Sequence, residues 1–150
     1  MAFSAPSLKG RALRLLSQRE HSRAELERKL ARHEEEPGSL ARALDELAAK
    51  DFISEARVVQ SVLHQRAPRL GAARVRQELQ AKGIASDAVA EAVSGLQATE
   101  LERARALWQR RFDAPPSDAK ERARQARFLL ARGFAGATVA KVLRTGGDDD

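Results

Sequence analysis

The 150-residue chain contains no cysteine, which excludes disulfide bridges, cysteine-ligated zinc and thiol nucleophiles. Tyrosine is also absent, and the aromatic residues are five Phe and one Trp. No stretch alternates polar and apolar residues as a half-buried strand does. The longest uninterrupted apolar run, "FLLA" at 128–131, is far too short to span a bilayer. The opening "MAFSAPSLKG" lacks the basic-then-apolar order of a secretion signal. These absences predict a cytoplasmic protein with no membrane partner.

Catalytic and ligand-binding patterns are missing as well. His21, His33 and His64 fall on three different predicted helices and have no cysteine partners, so they read as ordinary surface or boundary histidines. "GFAGATVAKVL" has two glycines but no Gly-Lys-Ser/Thr, so it is not a phosphate loop, and no G-x-S-x-G elbow occurs. "EEE" at 34–36 reads as a solvated turn, and "DDD" at 148–150 as a charged, disordered tail rather than a magnesium site. The expectation is a protein that is not an enzyme and carries no cofactor or metal.

What is present is helical periodicity. Leu8, Ala12, Leu15 and Leu16 follow i, i+4, i+7, i+8, and Leu40, Ala43, Leu44 and Leu47 follow i, i+3, i+4, i+7. Val58, Val59, Val62 and Leu63 form another such face, as do Val89, Val93 and Leu96. Trp108 and Phe112 share a stripe with Leu101 and Ala104, which is the spacing burial requires; a base-stacking platform would set aromatics on a basic face. Ser22 with Glu25 and Thr99 with Glu102 fit the capping box, and Ser7, Ser54, Ser86 and Ser117 are candidate N-caps. With breakers at Pro37-Gly38, Pro68, Gly71, Gly83, Pro115-Pro116 and Gly133, the chain divides into nine predicted helices. They run 8–19, 22–33, 40–50, 54–67, 72–82, 87–97, 99–112, 118–132 and 137–144.

The helices repeat. "RVRQELQAKGI" at 74–84 returns as "RQARFLLARGF" at 124–134, with Arg74/Arg124, Leu79/Leu129, Ala81/Ala131 and Gly83/Gly133 identical. Each glycine is placed to be the left-handed residue just past a helix, between Leu79 and Ile84 or between Leu129 and Phe134 as the apolar pair of a Schellman motif. Val89/Val139 and Val93/Leu143 continue the match. A third copy lies upstream at an offset of forty-nine, pairing Leu26 with Val75, Leu30 with Leu79, Leu40 with Val89, Leu44 with Val93 and Leu47 with Leu96. Its turn departs, since Glu34 and Glu35 stand where Gly83 and Ile84 stand. The predicted fold is therefore all-α: three tandem three-helix, helix-turn-helix-like repeats stacked into an elongated, curved solenoid. The expected boundaries are an N-terminal tail at 1–7, repeats at 8–53, 54–97 and 98–145, and an acidic tail at 146–150.

Net charge is +6, with 21 Arg against 6 Lys, and it is uneven: +2 over 1–50, zero over 51–100 and +4 over 101–150. Such a balance favours polyanions or acidic protein surfaces, although solvent-facing arginines without a partner would give the same count. The candidate contact residues lie on the second helices of the last two repeats. They are Arg74, Arg76 and Lys82 in one, and Arg122, Arg124, Arg127 and Arg132 in the other.

The segment "LAAKDFISEARVVQSVLHQRAPRLGAARVRQELQAKGI" at 47–84 resembles the central signature of the RecX regulatory proteins, small bacterial modulators of the RecA recombinase. The matching positions are Leu47, Phe52-Ile53, Glu55, Arg57, Arg66, Gly71, Arg74, Glu78-Leu79 and Lys82-Gly83-Ile84. "SRAELERKL" at 22–30 and "LLARGFAGATVAKVL" at 129–143 resemble the family's first and last units, in the family's order. The first unit lacks the glycine that often ends its second helix, and Ser54-Glu55 replaces a consecutive acidic pair. The resemblance implies a monomeric regulator without catalytic residues that lodges on the RecA–DNA filament, in its groove or at its end, hinders extension and lowers RecA activities. The basic charge adds the expectation of weak, non-specific contact with DNA that falls steeply as salt rises. A helix-turn-helix transcriptional repressor and a scaffold that binds no DNA are the competing readings; the first usually dimerises on palindromic half-sites, which three tandem copies fit poorly.

Overall fold

The computed structural model describes residues 5–145. Every regular element among them is helical: α1 (Leu8–Gln18), α2 (Arg23–Leu30), α3 (Ser39–Ala49), α4 (Glu55–Arg66), α5 (Ala72–Ala81), α6 (Ser86–Gln97), α7 (Glu100–Arg111), α8 (Ala119–Ala131) and α9 (Gly136–Thr145). A turn of 3-10 helix, Ala31–His33, follows α2. The tail expected at 146–150 lies outside the described residues, as do the first four positions of the N-terminal one. No described helix is long and apolar enough to cross a membrane.

The residues gather into two compact units. One holds α1 to α3, the first half of α4 and the turn Lys82–Ile84; the other holds the rest of α4, α5 and α6 to α9. In the first, Ala12, Leu26, Leu30, Leu40, Leu44 and Leu47 form the core, with Leu8, Leu13, Leu15, Leu16 and Ile53 packed around them. Leu26, Leu44 and Leu47 are completely buried, each contributing about 1.5–3 kcal/mol relative to exposure. In the second, Ala104, Trp108, Phe112, Leu129, Phe134, Val139, Val142 and Leu143 cluster together, so the Trp108–Phe112 stripe is core, as its spacing predicts. All five apolar pairs of the forty-nine-residue offset are buried in both copies.

Helix ends show where local chemistry decides. Ser7 Oγ accepts from the Gly10 N–H at 3.0 Å. Ser22 and Glu25 form the expected reciprocal box at 3.1 and 3.0 Å, and Ser54 Oγ accepts from Arg57 N at 3.2 Å. The second predicted box does not form. Thr99 comes two residues after α6, with ψ near 5°, and its hydroxyl donates back to the Leu96 carbonyl at 3.3 Å. Ser86 is the first residue of α6, where Ala85 occupies the cap position. Asp118 displaces Ser117 as the cap of α8, accepting from Glu121 N at 2.8 Å.

Gly83 and Gly133 take the left-handed conformation, at φ of 73° and 90°. At Gly133 both Schellman bonds are present: Phe134 N donates to Leu129 O at 3.3 Å and Gly133 N to Leu130 O at 3.0 Å. The first repeat ends its second helix differently, through the 3-10 turn, after which Glu34 accepts from Leu40 N at 2.8 Å and so caps α3. A further Schellman turn closes α3 around Asp51, a non-glycine residue at φ 65°. Phe52 N reaches Leu47 O at 2.9 Å, and Arg57 holds Asp51 through its carbonyl (2.6 Å) and its carboxylate (3.0 Å).

Candidate interaction surface of the second and third repeats

The candidate basic residues sit on α5 and α8, or just past them, and their fates differ. Arg74 is tied down: its Nη1 donates to the Ala131 carbonyl at 2.7 Å, near the C-terminus of α8. That helix end and the start of α5 are joined backbone to backbone. Gly71 N donates to Arg132 O at 2.7 Å and Ala73 N to Gly133 O at 3.3 Å. Arg74 therefore satisfies a carbonyl that the helix itself leaves orphaned, at the negative end of its dipole.

Lys82 lies in the first compact unit, 3.3 Å from the buried Glu25 carboxylate, with its side chain only 17% exposed. Burial alone would push Glu25 up. Bonds from Arg19 (2.7 Å) and from Ser22 N–H, with the charges of Lys82 and Arg19, overcome this and lower it to about 2. Lys82 and Arg74 thus carry structural tasks that sequence alone does not reveal.

On α8 the cations meet aromatic rings. The Arg132 guanidinium lies 3.7 Å from the centroid of Phe128 and donates to the Phe128 carbonyl at 3.0 Å. Arg111 lies 5.6 Å from the Phe128 ring and 5.2 Å from that of Phe112, and Arg124 lies 5.0 Å from Phe112 on the same helix cluster. The two rings meet edge to face at 5.3 Å. Three guanidinium groups thus interleave with two phenylalanines, an arrangement that orders long side chains before any partner arrives. Arg124 also forms a fork with Glu121, at 2.9 and 2.7 Å, which with a bond from Gln125 holds the Glu121 carboxyl down at about 2. Arg111, which no repeat spacing singles out, is the member that sequence reasoning misses.

Arg76, Arg122 and Arg127 are exposed and make no ion pair or side-chain hydrogen bond within the described residues. Arg76 borders a hollow of about 280 Å³ whose wall includes Val93, Phe134 and Leu130, the last 48% exposed. These three arginines, with the Arg–Phe ladder beside two of them, are what the second unit offers to an anionic partner.

Two groups, the buried Glu100 and the half-buried Arg103, organise this surface. Glu100 accepts from Ala72 N at 3.0 Å and from the Thr138 hydroxyl at 3.3 Å, joining α7 to α5 and α9. Arg103 donates to the carbonyls of Ala67, Leu70 and Leu96 at 2.8, 2.8 and 3.0 Å, and to Thr99 Oγ1 at 3.1 Å. It clamps the loop before α5 and the end of α6 onto α7. Neither role is visible in sequence, because apart from Thr99 the partners lie 28 to 38 residues away or belong to the backbone.

Three family models match the chain in tandem, described as the first, second and third three-helix domains of RecX, over residues 9–47, 54–93 and 98–143. A relative named regulatory protein RecX from Leptothrix cholodnii is 57% identical over 146 residues, covering 96% of this chain and 93% of its own. Another of that name, from Chromobacterium violaceum, is 42% identical over 150 residues, covering 100% and 97%. Among solved structures, RecX from Lactobacillus salivarius superposes with a TM-score of 0.73 at 20% identity, over 91% of this chain and 92% of that one. A second crystal structure of regulatory protein RecX gives a TM-score of 0.74 at 19% identity, over 90% and 70%.

Proposed function

The chain belongs to the RecX family of regulatory proteins, and from that premise we propose that it is a negative regulator of the RecA recombinase. It binds the RecA–DNA filament as a monomer, in the groove or at the end. There it hinders extension and lowers ATPase, strand-exchange and co-protease activity in DNA repair and the SOS response. The observation that carries this reading is the run of all three family domains across the chain, joined to relatives matched over nearly their full length. The exposed Arg76, Arg122 and Arg127 and the ordered Arg–Phe ladder supply a basic face suited to a filament that contains DNA.

Arg122→Ala with Arg127→Ala tests it. Neither side chain is engaged inside the molecule, so helical CD and melting temperature should stay within a degree or so of the parent, as expected for surface changes of roughly 0.5 kcal/mol or less. Inhibition of RecA-dependent ATP hydrolysis should weaken at least several-fold. A parent protein without effect on RecA filaments, but with salt-insensitive affinity for one operator sequence, would instead identify a transcriptional repressor.

A further inference from the structure

The first compact unit carries a basic groove lined by α1, α2 and the 3-10 turn, and none of the candidate residues described above borders it. It measures about 630 Å³ and is bordered by Arg11 and Arg14 of α1, Arg28 and Lys29 of α2, and Arg32 and His33 of the 3-10 turn. Leu15 and Leu30 give it an apolar floor, and no carboxylate and no Phe, Tyr or Trp lines it.

The absence of carboxylates follows from where the unit's acids go. Glu20 pairs with Arg57, Glu27 and Asp45 with Arg23, Glu46 with Lys9, and Glu25 with Arg19 and Lys82. Glu34 is spent on the N-terminus of α3. Arg11, Arg14 and Arg32 have no carboxylate partner among the described residues, and Lys29 Nζ lies 2.9 Å from His21 Nε2. Local desolvation, with the Arg11 and Arg32 charges, pushes His33 below its ordinary 6.5, as expected of an imidazole set among cations. The charged residues that line the groove with it are Arg11 and Arg14 from α1, Arg28 and Lys29 from α2, and Arg32, whose Nε donates to His33 Nε2 at 3.3 Å.

Resting on the DNA contact in the preceding reading, we propose that this groove is the chain's own nucleic-acid site, taking the sugar–phosphate backbone of a single DNA strand without reading its bases. Guanidinium groups dominate the lining, and their planar forks match phosphate oxygens. Arg11 and Arg14 are three residues apart on α1, about 5–6 Å apart at Cβ, and Arg32 in the 3-10 turn follows Arg28 of α2 by four, so that adjacent phosphates can be met in succession. With His33 as its one aromatic ring and few neutral hydrogen-bonding groups, the groove has little with which to discriminate bases.

The test uses the full chain and a fluorescein-labelled single-stranded DNA of mixed sequence, without recombinase, by anisotropy across a salt series. Arg14→Gln with Arg32→Gln should reduce affinity roughly tenfold at low salt and lower the salt slope by about 1.4, two phosphate contacts at about 0.7 each. Arg42→Gln with Lys50→Gln, both exposed and outside the groove lining, should change affinity less than twofold. In the parent, titrating the His33 imidazole by NMR should show its pKa rise when the DNA is added, a readout that needs no substitution. A groove variant that binds DNA as the parent does, with His33 unmoved by DNA, overturns the proposal. So does polyglutamate of matched charge that binds as tightly as DNA and shifts His33 as far, since the groove would then suit an acidic protein. Inhibition of RecA by the groove variant is measured separately: loss of DNA binding with inhibition intact sustains both readings, and a parent that binds DNA in the groove without affecting RecA refutes only the preceding one.

Discussion

Replacing Gly71 by alanine tests the joint between α5 and α8 without touching a strained backbone, because Gly71 has no positive φ whereas Gly133 does. A Cβ at Gly71 would lie 2.5 Å from Phe134 N, with the Gly133 carbonyl group nearer still, and these are backbone atoms that cannot rotate aside. Making room must lengthen the bonds that dock α5: Gly71 N to Arg132 O, Ala73 N to Gly133 O, and Arg74 Nη1 to Ala131 O. Overpacking of this kind costs about 1–3 kcal/mol, and each weakened hydrogen bond adds up to ~1 kcal/mol. The expected loss is about 2–3 kcal/mol. Gly133→Ala should cost about 3–5 kcal/mol, because its Cβ would stand 2.6 Å from Arg74 N and its left-handed backbone adds a further ~1–2 kcal/mol for a side chain. Gly133→Val should be at least as severe. Since both changes break one joint, the double variant should fall short of the sum by ~1 kcal/mol or more. Gly95→Ala is the control: nothing lies within 4 Å of the added atom and the site is inside α6, so it should stabilise by about 0.5–1 kcal/mol. Urea unfolding followed by CD measures all five. Gly71→Ala within 0.5 kcal/mol of the parent, or strict additivity with Gly133→Ala, would refute the close backbone approach.

Acid should weaken the first unit in two steps. Burial, aided by the charges of Arg19 and Lys29, lowers His21 below 6.5 against the opposing bond to the Arg19 carbonyl, so its contribution is complete above pH 6.5 and is lost as pH falls below that. Glu25, held at about 2 against an ordinary 4.5, contributes about 3 kcal/mol that is present above pH 4.5 and disappears toward pH 2. His21→Gln should remove the upper step and Glu25→Gln the lower one in urea titrations between pH 7 and 3; parental stability flat over that range would contradict both assignments. Gln125→Leu supplies the apolar type that the first repeat uses at this position, yet it strands the buried Trp108 N–H, whose 2.8 Å bond ends on Gln125 Oε1. A loss of about 1–3 kcal/mol and a shifted indole N–H resonance are expected, and unchanged values for both would show that the bond contributes nothing.

The helical framework was legible because it depends on period alone. The apolar positions that recur at forty-nine and fifty are buried, and the glycines that follow Leu79 and Leu129 by four residues adopt positive φ. Turn chemistry was legible only where a side chain's partner is its own neighbour. The Ser22–Glu25 box is such a case. Thr99 fails because α6 ends immediately before it and competes for its hydroxyl through Leu96 O, and Asp51 adopts the left-handed conformation that sequence reserves for glycine because Arg57 secures it. The candidate surface was least legible. Composition counts arginines without showing which are already spent.

One repeat position shows why. Glu25, Arg74 and Arg124 occupy the same place in successive repeats, each one residue before a buried core position held by Leu26, Val75 and Gln125. Glu25 closes a capping box and binds two cations, Arg74 secures the end of α8, and Arg124 pairs with Glu121 over the Phe112 ring. The core neighbour is constrained by volume and varies little until Gln125, where a tryptophan N–H demands an acceptor. The polar position has no such constraint, because what it meets is set by whichever element lies beside that repeat. Recurrence of arginine therefore does not by itself mark a recurring binding stripe. Among the cations described above, setting aside Arg74, Arg103 and Arg132, each bonded to backbone carbonyls, and Lys82, paired with Glu25, singles out two groups of arginines. One is the exposed set Arg76, Arg122 and Arg127, and the other is the groove of Arg11, Arg14 and Arg32 in the first unit. The ladder of arginines and phenylalanines beside the first set fits a protein contact, where ordered side chains lower the entropic cost of docking, while the groove, which lacks Phe, Tyr and Trp, fits a phosphate chain. A regulator that must engage a protein–DNA filament has a use for both, and the paired arginine substitutions separate them.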